Sequence, residues 1–266
     1  MCSVRKVRAR ELIVEYAAFG KHHFTFSEFH STLGTTAVAA RQALSRLIRK
    51  GEIASPARGF YVIVPPEYRR IGCLPADEFI PALMEYRNTT YYVGILSAAQ
   101  YFGAAHQRPQ QFQVVLARNR PVIACGKVKV AFVARKNIDA VPTVRLNNPR
   151  GSIVVSSVEA TALDLVGYMH RAGGVDRVAG LLSEIADELN ANRLVAASES
   201  ASILWAQRLG YLLELVGAAR KTALLKKRVH QHARNFTKLL PSIDAKIIER
   251  SKEWRVLVNA NVDPEE

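Results

Sequence analysis

At 266 residues, 49% hydrophobic and 8% aromatic, the chain has material for one large domain or two smaller ones, which excludes a disordered or low-complexity class. Its 37 Lys and Arg against 23 Asp and Glu leave a formal net charge of +14 and a pI near 10.0, an excess that points to a polyanionic partner or an anionic membrane surface. Cys2, Cys73 and Cys125 are odd in number, far apart and without a C-x-x-C pair, so neither a disulfide framework nor a cysteine zinc site is expected.

The N-terminal ten residues hold no apolar stretch of the signal-peptide kind, and the longest apolar passage, Ser202 to Ala219, is interrupted by Gln207, Arg208 and Glu214. A cytoplasmic protein with no membrane partner is expected. Ala9 to Phe19 places Leu12, Ile13, Tyr16 and Ala17 at helical spacing, and Gly20 stops this first helix. Thr25-Phe26-Ser27-Glu28 has the form of a capping box and predicts a short second helix ending at Leu33-Gly34. A threonine N-cap after that glycine opens a third helix, which Gly51 closes.

At about 100° per residue, Ala37, Ala40, Leu44, Leu47 and Ile48 form the core side of the third helix, and Thr35, Gln42, Ser45, Arg46 and Arg49 the solvent side. The solvent side carries no carboxylate. Gln42 can pair bidentately with adenine, Arg41, Arg46 and Arg49 can fork onto guanine or phosphate, and the small Thr35 and Ala39 let a helix sit deep in a groove. After Gly51 the period changes. Glu52 to Ser55 and Phe60 to Val64 read as strands around a Pro56-Ala57-Arg58-Gly59 turn, a wing with Arg58 at its tip, placed to reach a phosphate or a minor groove. Three short helices and a hairpin predict a winged helix-turn-helix.

Pro65-Pro66 predicts the boundary between a winged-helix domain, 1–66, and a larger second domain, 67–266. In the second, 76–87 and 94–103 read as helices, 111–118, 127–134 and 151–155 as strands, and Ser156-Ser157-Val158-Glu159 as a capping box opening a helix from Val158 to His170. Helices follow over 175–189 and 192–216, then a helical segment towards Leu240 and a closing strand at 255–259. The fold class is α+β: a winged helix followed by a mostly helical domain with a small sheet. The first 64 residues hold 10 basic against 4 acidic residues, +6, and the remaining 27 against 19, +8. Leu215 to Ile243 holds seven basic residues and no acid; within it Arg220, Lys221, Lys226, Lys227 and Arg228 are candidates for a second contact, with a partner protein or a nucleic acid.

No catalytic, cofactor or metal set is expected. Glu159 and Asp164 diverge by about 140° on their predicted helix, the seven histidines form no H-E-x-x-H, and no Walker, Rossmann or G-x-S-x-G pattern occurs. Several blocks in order resemble the AbiEi antitoxin family of abortive-infection toxin–antitoxin pairs: Gly59 to Tyr68, Tyr91 to Ala99, Phe102 to His106, Gln111 to Val115, and Ser156 to Leu165. The resemblance implies a phage-defence antitoxin of type IV, with a nucleotidyltransferase-like toxin as cognate partner. It further implies a winged helix that binds double-stranded DNA and represses its own operon at inverted repeats, with Thr35, Thr36, Arg41, Gln42, Arg46 and Arg58 at the DNA-reading positions. The rival readings are a stand-alone transcription regulator whose second domain senses a ligand or partner, and a nuclease or nucleic-acid-modifying enzyme that uses the winged helix for targeting.

Overall fold

The computed structural model describes residues 8–104, 110–244 and 246–264; Cys2 and His106 lie outside the described residues. The chain opens with α1 (Ala9–Ala18), β1 (His23–Thr25), α2 (Phe26–Leu33), α3 (Ala37–Arg49), β2 (Ile53–Ala57) and β3 (Phe60–Ile63). The capping box of α2 is present in both halves: Glu28 N donates to Thr25 Oγ1 at 3.2 Å and Thr25 N to a Glu28 carboxylate oxygen at 2.6 Å. Thr36 caps α3 by accepting from Ala39 N at 3.3 Å, and Gly51 follows its end. Leu12, Phe24, Phe29, Ala40, Leu44, Leu47 and Ile53 close a small core between the helices and the wing.

Three details differ from the sequence expectation. His23–Thr25 forms a strand on the far side of β3, giving the sheet order β1-β3-β2. Pro56 lies inside β2 and is accommodated by a register shift between Ala54 and Ala57, so the turn shrinks to Arg58-Gly59, with Gly59 at φ 77°. Ile48, expected in the core, is 41% exposed; the arc of α3 that meets the core is centred on Ala40, Ala43, Leu44 and Leu47 and leaves Ile48 outside.

The rest of the chain runs α4 (Ala76–Tyr86), β4 (Tyr91–Val93), α5 (Ile95–Ala99), β5 (Phe112–Leu116), β6 (Ile123–Cys125), β7 (Val128–Ala134), β8 (Thr143–Asn148) and β9 (Gly151–Ser156). Then come α6 (Val158–Gly167), α7 (Met169–Ala172), α8 (Val175–Ile185), α9 (Ala191–Glu199), α10 (Ile203–Leu215), α11 (Ala223–His232), β10 (Thr237–Lys238), β11 (Glu249–Ser251) and β12 (Val256–Val258). The class is α+β. A six-stranded mixed sheet has the order β6-β7-β5-β4-β9-β8, and β10-β12-β11 form a small second one. The single helix expected over 192–216 is two, α9 and α10, because Ser202 starts a new cap by accepting from Leu204 N at 3.3 Å.

Side chains alternate across the large sheet. Tyr92, Val115 and Val133 pack under α5, α6, α8 and α10, whereas Val114, Leu116, Val130 and Phe132 face α4. The α4 side also receives the back of the wing: Ala54, Phe60, Val62 and Val64 belong to the same cluster as Phe79, Ile80 and Leu83. The segments on either side of Pro65-Pro66 thus share a core. Polar contacts follow the same joint. Tyr68 Oη donates to Glu78 at 2.8 Å, and Arg150 bridges Glu78 (Nε, 2.9 Å) to the His22 ring (Nη1 to Nε2, 2.7 Å), where burial and the guanidinium both push the imidazole pKa down. Cys73 and Cys125, distant in sequence, are buried free thiols, and the neighbouring Cys125 together with burial pushes the Cys73 thiol up.

Candidate nucleic-acid interface

On α3, Val38, Gln42, Ser45, Arg46 and Arg49 fall within about 60° of one another's mean direction and all are exposed. Thr35 is half-buried, and Thr36 is exposed at the N-cap with its hydroxyl engaged by Ala39 N. Arg41 is turned roughly 100° from Gln42, towards the wing, and its guanidinium lies 5.0 Å from the centre of the Phe26 ring. Among the described residues, none of Arg41, Arg46, Arg49 and Arg58 forms an ion pair. An exposed cationic stripe with no internal anion is a surface whose counterions are free to be displaced by a polyanion.

The wing tip borders this stripe. A cavity of about 540 Å³ opens between the start of α2, Arg41 and the turn, lined by Thr25, Ser27, Arg41, Arg58, Tyr61 and Tyr86. Burial pushes the Tyr61 hydroxyl up, and the nearby Arg41 guanidinium works against that shift.

The basic run of the second half is not one surface. Lys221 Nζ donates to the carbonyls of Asp187 and Leu189 at 2.9 and 2.8 Å, tying the turn before α11 to the segment between α8 and α9. Lys226 sits between Glu214 and Glu253, 2.7 Å from each, and over the Trp254 ring; the two carboxylates push its ammonium pKa up. Arg228 approaches Glu199 at 3.9 Å. The acids missing from the run are supplied by other segments, which leaves Arg220 and Lys227 as the exposed members of the five with no ion pair among the described residues.

Glu159 and Asp164 do not converge, and both are buried. The expected capping role of Glu159 is not observed: Ser157 is the N-cap, accepting from Ala160 N at 3.2 Å, one position later than the box requires, and Glu159 instead accepts from Asn190 N at 3.2 Å ahead of α9. Asp164 is fully buried and ion-paired with Arg135, and accepts from Tyr92 Oη at 3.0 Å. Arg135 Nη2 also donates to the Ser200 carbonyl at 3.1 Å, and the guanidinium lies 5.3 Å from the Trp205 ring centre. Sequence reasoning missed this network because its members are scattered from β4 to α10; a lone arginine directly after an apolar strand, at Arg135, was the available signal. Among the described residues no three His, Cys, Asp or Glu side chains gather as a metal site, and no helix is long and apolar enough to cross a membrane.

Residues 92–215 match the family model described as the AbiEi antitoxin C-terminal domain. Among curated proteins none matches. Among solved structures, the crystal structure of the RV2827C protein from Mycobacterium tuberculosis is similar with a TM-score of 0.67 at 17% identity, over 93% of this chain and 90% of that one. At that identity the likeness is one of fold. The matched segment runs from β4 to the end of α10 and contains Tyr92, Arg135, Asp164 and Trp205, so the sheet, its helical layer and the buried ion pair are those of the antitoxin domain. Over that segment, a little under half of its length, the chain carries a domain similar to the AbiEi antitoxin C-terminal domain, which supports an antitoxin role in a toxin–antitoxin system.

Proposed function

We propose that this protein is the antitoxin of a type IV pair that neutralises a nucleotidyltransferase-like toxin and represses its own operon by winged-helix binding to inverted repeats. In this reading residues 1–66 are the DNA-reading unit and residues 67–266 the antitoxin unit, acting without catalysis. The observation that carries the DNA reading is the exposed α3 stripe, with Gln42 among arginines that have no acidic partner among the described residues. Gln42 supplies base readout and Arg41, Arg46, Arg49 and Arg58 supply charge. A Gln42→Ala protein should lose about 1–3 kcal/mol of discrimination between the promoter and a base-substituted copy, with an unchanged salt slope. Equal affinity for the two fragments in the wild-type protein would remove the repressor reading.

For the antitoxin unit, Arg220 before α11 and Lys227 on it are exposed with no ion pair among the described residues, and they are proposed to meet an acidic surface of the toxin or a nucleic acid bound with it. Reversing both to Glu should weaken growth rescue in cells co-expressing the toxin, since like charges placed together at a contact cost several kcal/mol. Promoter binding by the same variant should keep its sequence preference. Undiminished rescue at matched expression would exclude these two residues from the contact.

A further inference from the structure

We propose that Tyr86, from the second unit, is a positioning residue of the DNA interface: it pins the wing tip so that Arg58 and Arg41 face one DNA phosphate across their shared cavity. This rests on the winged-helix reading above and adds to it a residue from outside the winged helix. Tyr86 is the last residue of α4. Its ring centre lies 5.5 Å from that of Phe60, the first residue of β3, and its hydroxyl is 3.4 Å from the Arg58 carbonyl oxygen. Between those contacts is Gly59, where a Cβ would stand 2.8 Å from the Tyr86 hydroxyl, so the turn is pressed against the phenol. A hairpin this short has little stability of its own, and a ring lodged at its tip fixes where the turn residue points.

The chemistry around the phenol selects an anion. Arg41 and Arg58 line one recess of about 540 Å³ from two different elements, with no carboxylate paired to either among the described residues. Thr25, Ser27 and Tyr86, the last 45% exposed, line the same recess with hydroxyl-bearing side chains. Two guanidinium groups that repel each other across a wet recess are relieved by one phosphodiester, the group presented at regular spacing by the DNA backbone beside a groove-bound helix. Without Tyr86 the turn is free, and Arg58 no longer holds its place opposite Arg41.

The test compares Tyr86→Ala, Tyr86→Phe, Arg58→Ala and the Tyr86→Ala/Arg58→Ala double variant, titrating each against the protein's own promoter fragment from about 50 to 200 mM salt. Tyr86→Ala removes no charge, yet it should weaken binding about tenfold near 0.1 M salt and lower the salt slope by about one, as expected when one phosphate fewer is neutralised. Tyr86→Phe keeps the ring on Phe60 and should bind within about twofold of wild type, while the double variant should be no weaker than Arg58→Ala. A partly unfolded protein would lose binding amplitude and keep its slope, so the slope separates positioning from general destabilisation. An unchanged slope in Tyr86→Ala, or additive losses in the double variant, overturns the proposal. Arg46→Ala serves as the control: if it loses affinity and Tyr86→Ala does not, the winged-helix reading stands and Tyr86 has no part in it, whereas wild-type affinity for Arg46→Ala removes that reading and the proposal with it.

Discussion

Asp164→Ala is expected to lower the unfolding free energy by about 3–5 kcal/mol, the cost of leaving one member of a buried ion pair without its partner. Arg135, whose side chain is only 4% exposed, would keep a full charge in a site from which its counterion has gone. The damage extends beyond one pair, because Tyr92 on β4, Arg135 after β7, Asp164 on α6 and Ser200 after α9 are joined through it. Chemical denaturation of the purified protein measures the effect, and a loss below about 1 kcal/mol would show that the pair contributes little. Asp164→Asn keeps an acceptor for Tyr92 and Arg135 and should cost less. The pH dependence has a definite sign. Burial raises the Asp164 carboxyl to about 6 against the pull of Arg135, above its ordinary 3.8. The folded state therefore binds this proton more tightly than the unfolded chain, and the group's contribution to stability falls as pH rises between those two values and is level above about 6. Asp164→Asn lacks that titration, so its stability relative to wild type should change across this window and stay constant at higher pH.

Replacing Arg41, Arg46 and Arg58 together with Ala should abolish operator binding in practice while leaving the fold intact. All three are exposed and none has an ion pair among the described residues, so their removal should change stability by no more than about 0.5 kcal/mol each. For every phosphate that is no longer neutralised the salt slope should fall by about 0.9, and three such phosphates together should reduce affinity by roughly 10²–10³ near 0.1 M salt. Rescue from the toxin should survive, since none of the three lies in the antitoxin domain at residues 92–215 or at the contact proposed for Arg220 and Lys227. Promoter affinity within threefold of wild type would place the DNA-binding surface elsewhere. Loss of rescue together with loss of promoter binding, in a protein that melts as wild type does, would mean that the two units act as one.

The three N-terminal helices and the hairpin after them were legible in the sequence because their signals are local, whereas β1, which exists only by pairing with β3, was not. Thr25 and Glu28 are three residues apart, Thr36 is three from Ala39, Gly51 follows the helix it ends, and the apolar period of α3 is complete within thirteen residues. Within the larger part, long elements such as α4, β7 and α8 were readable for the same reason, whereas β4, β6 and β8 were not. The three-residue β4 and β6, and an edge strand with mostly exposed side chains such as Thr143–Asn148, carry too little pattern, and only pairing with a neighbour makes them strands.

Taken alone, the sequence determined the α+β class, the order of the long elements, the cationic outer face of α3 and the positions of its caps, all of which follow from spacings of a few residues. Tertiary structure alone decided which charges remain free. Lys226 looks unpaired along the chain and is held by Glu214 and Glu253, while Arg135 and Asp164, 29 residues apart, neutralise each other inside the core. It also decided that Phe60 and Val62 of the wing pack with Phe79 and Leu83 of α4, and that Tyr86 reaches the wing tip across 28 residues of sequence. Coulombic and packing energies fall off with distance in space, and separation along the chain says little about that distance once the chain has folded.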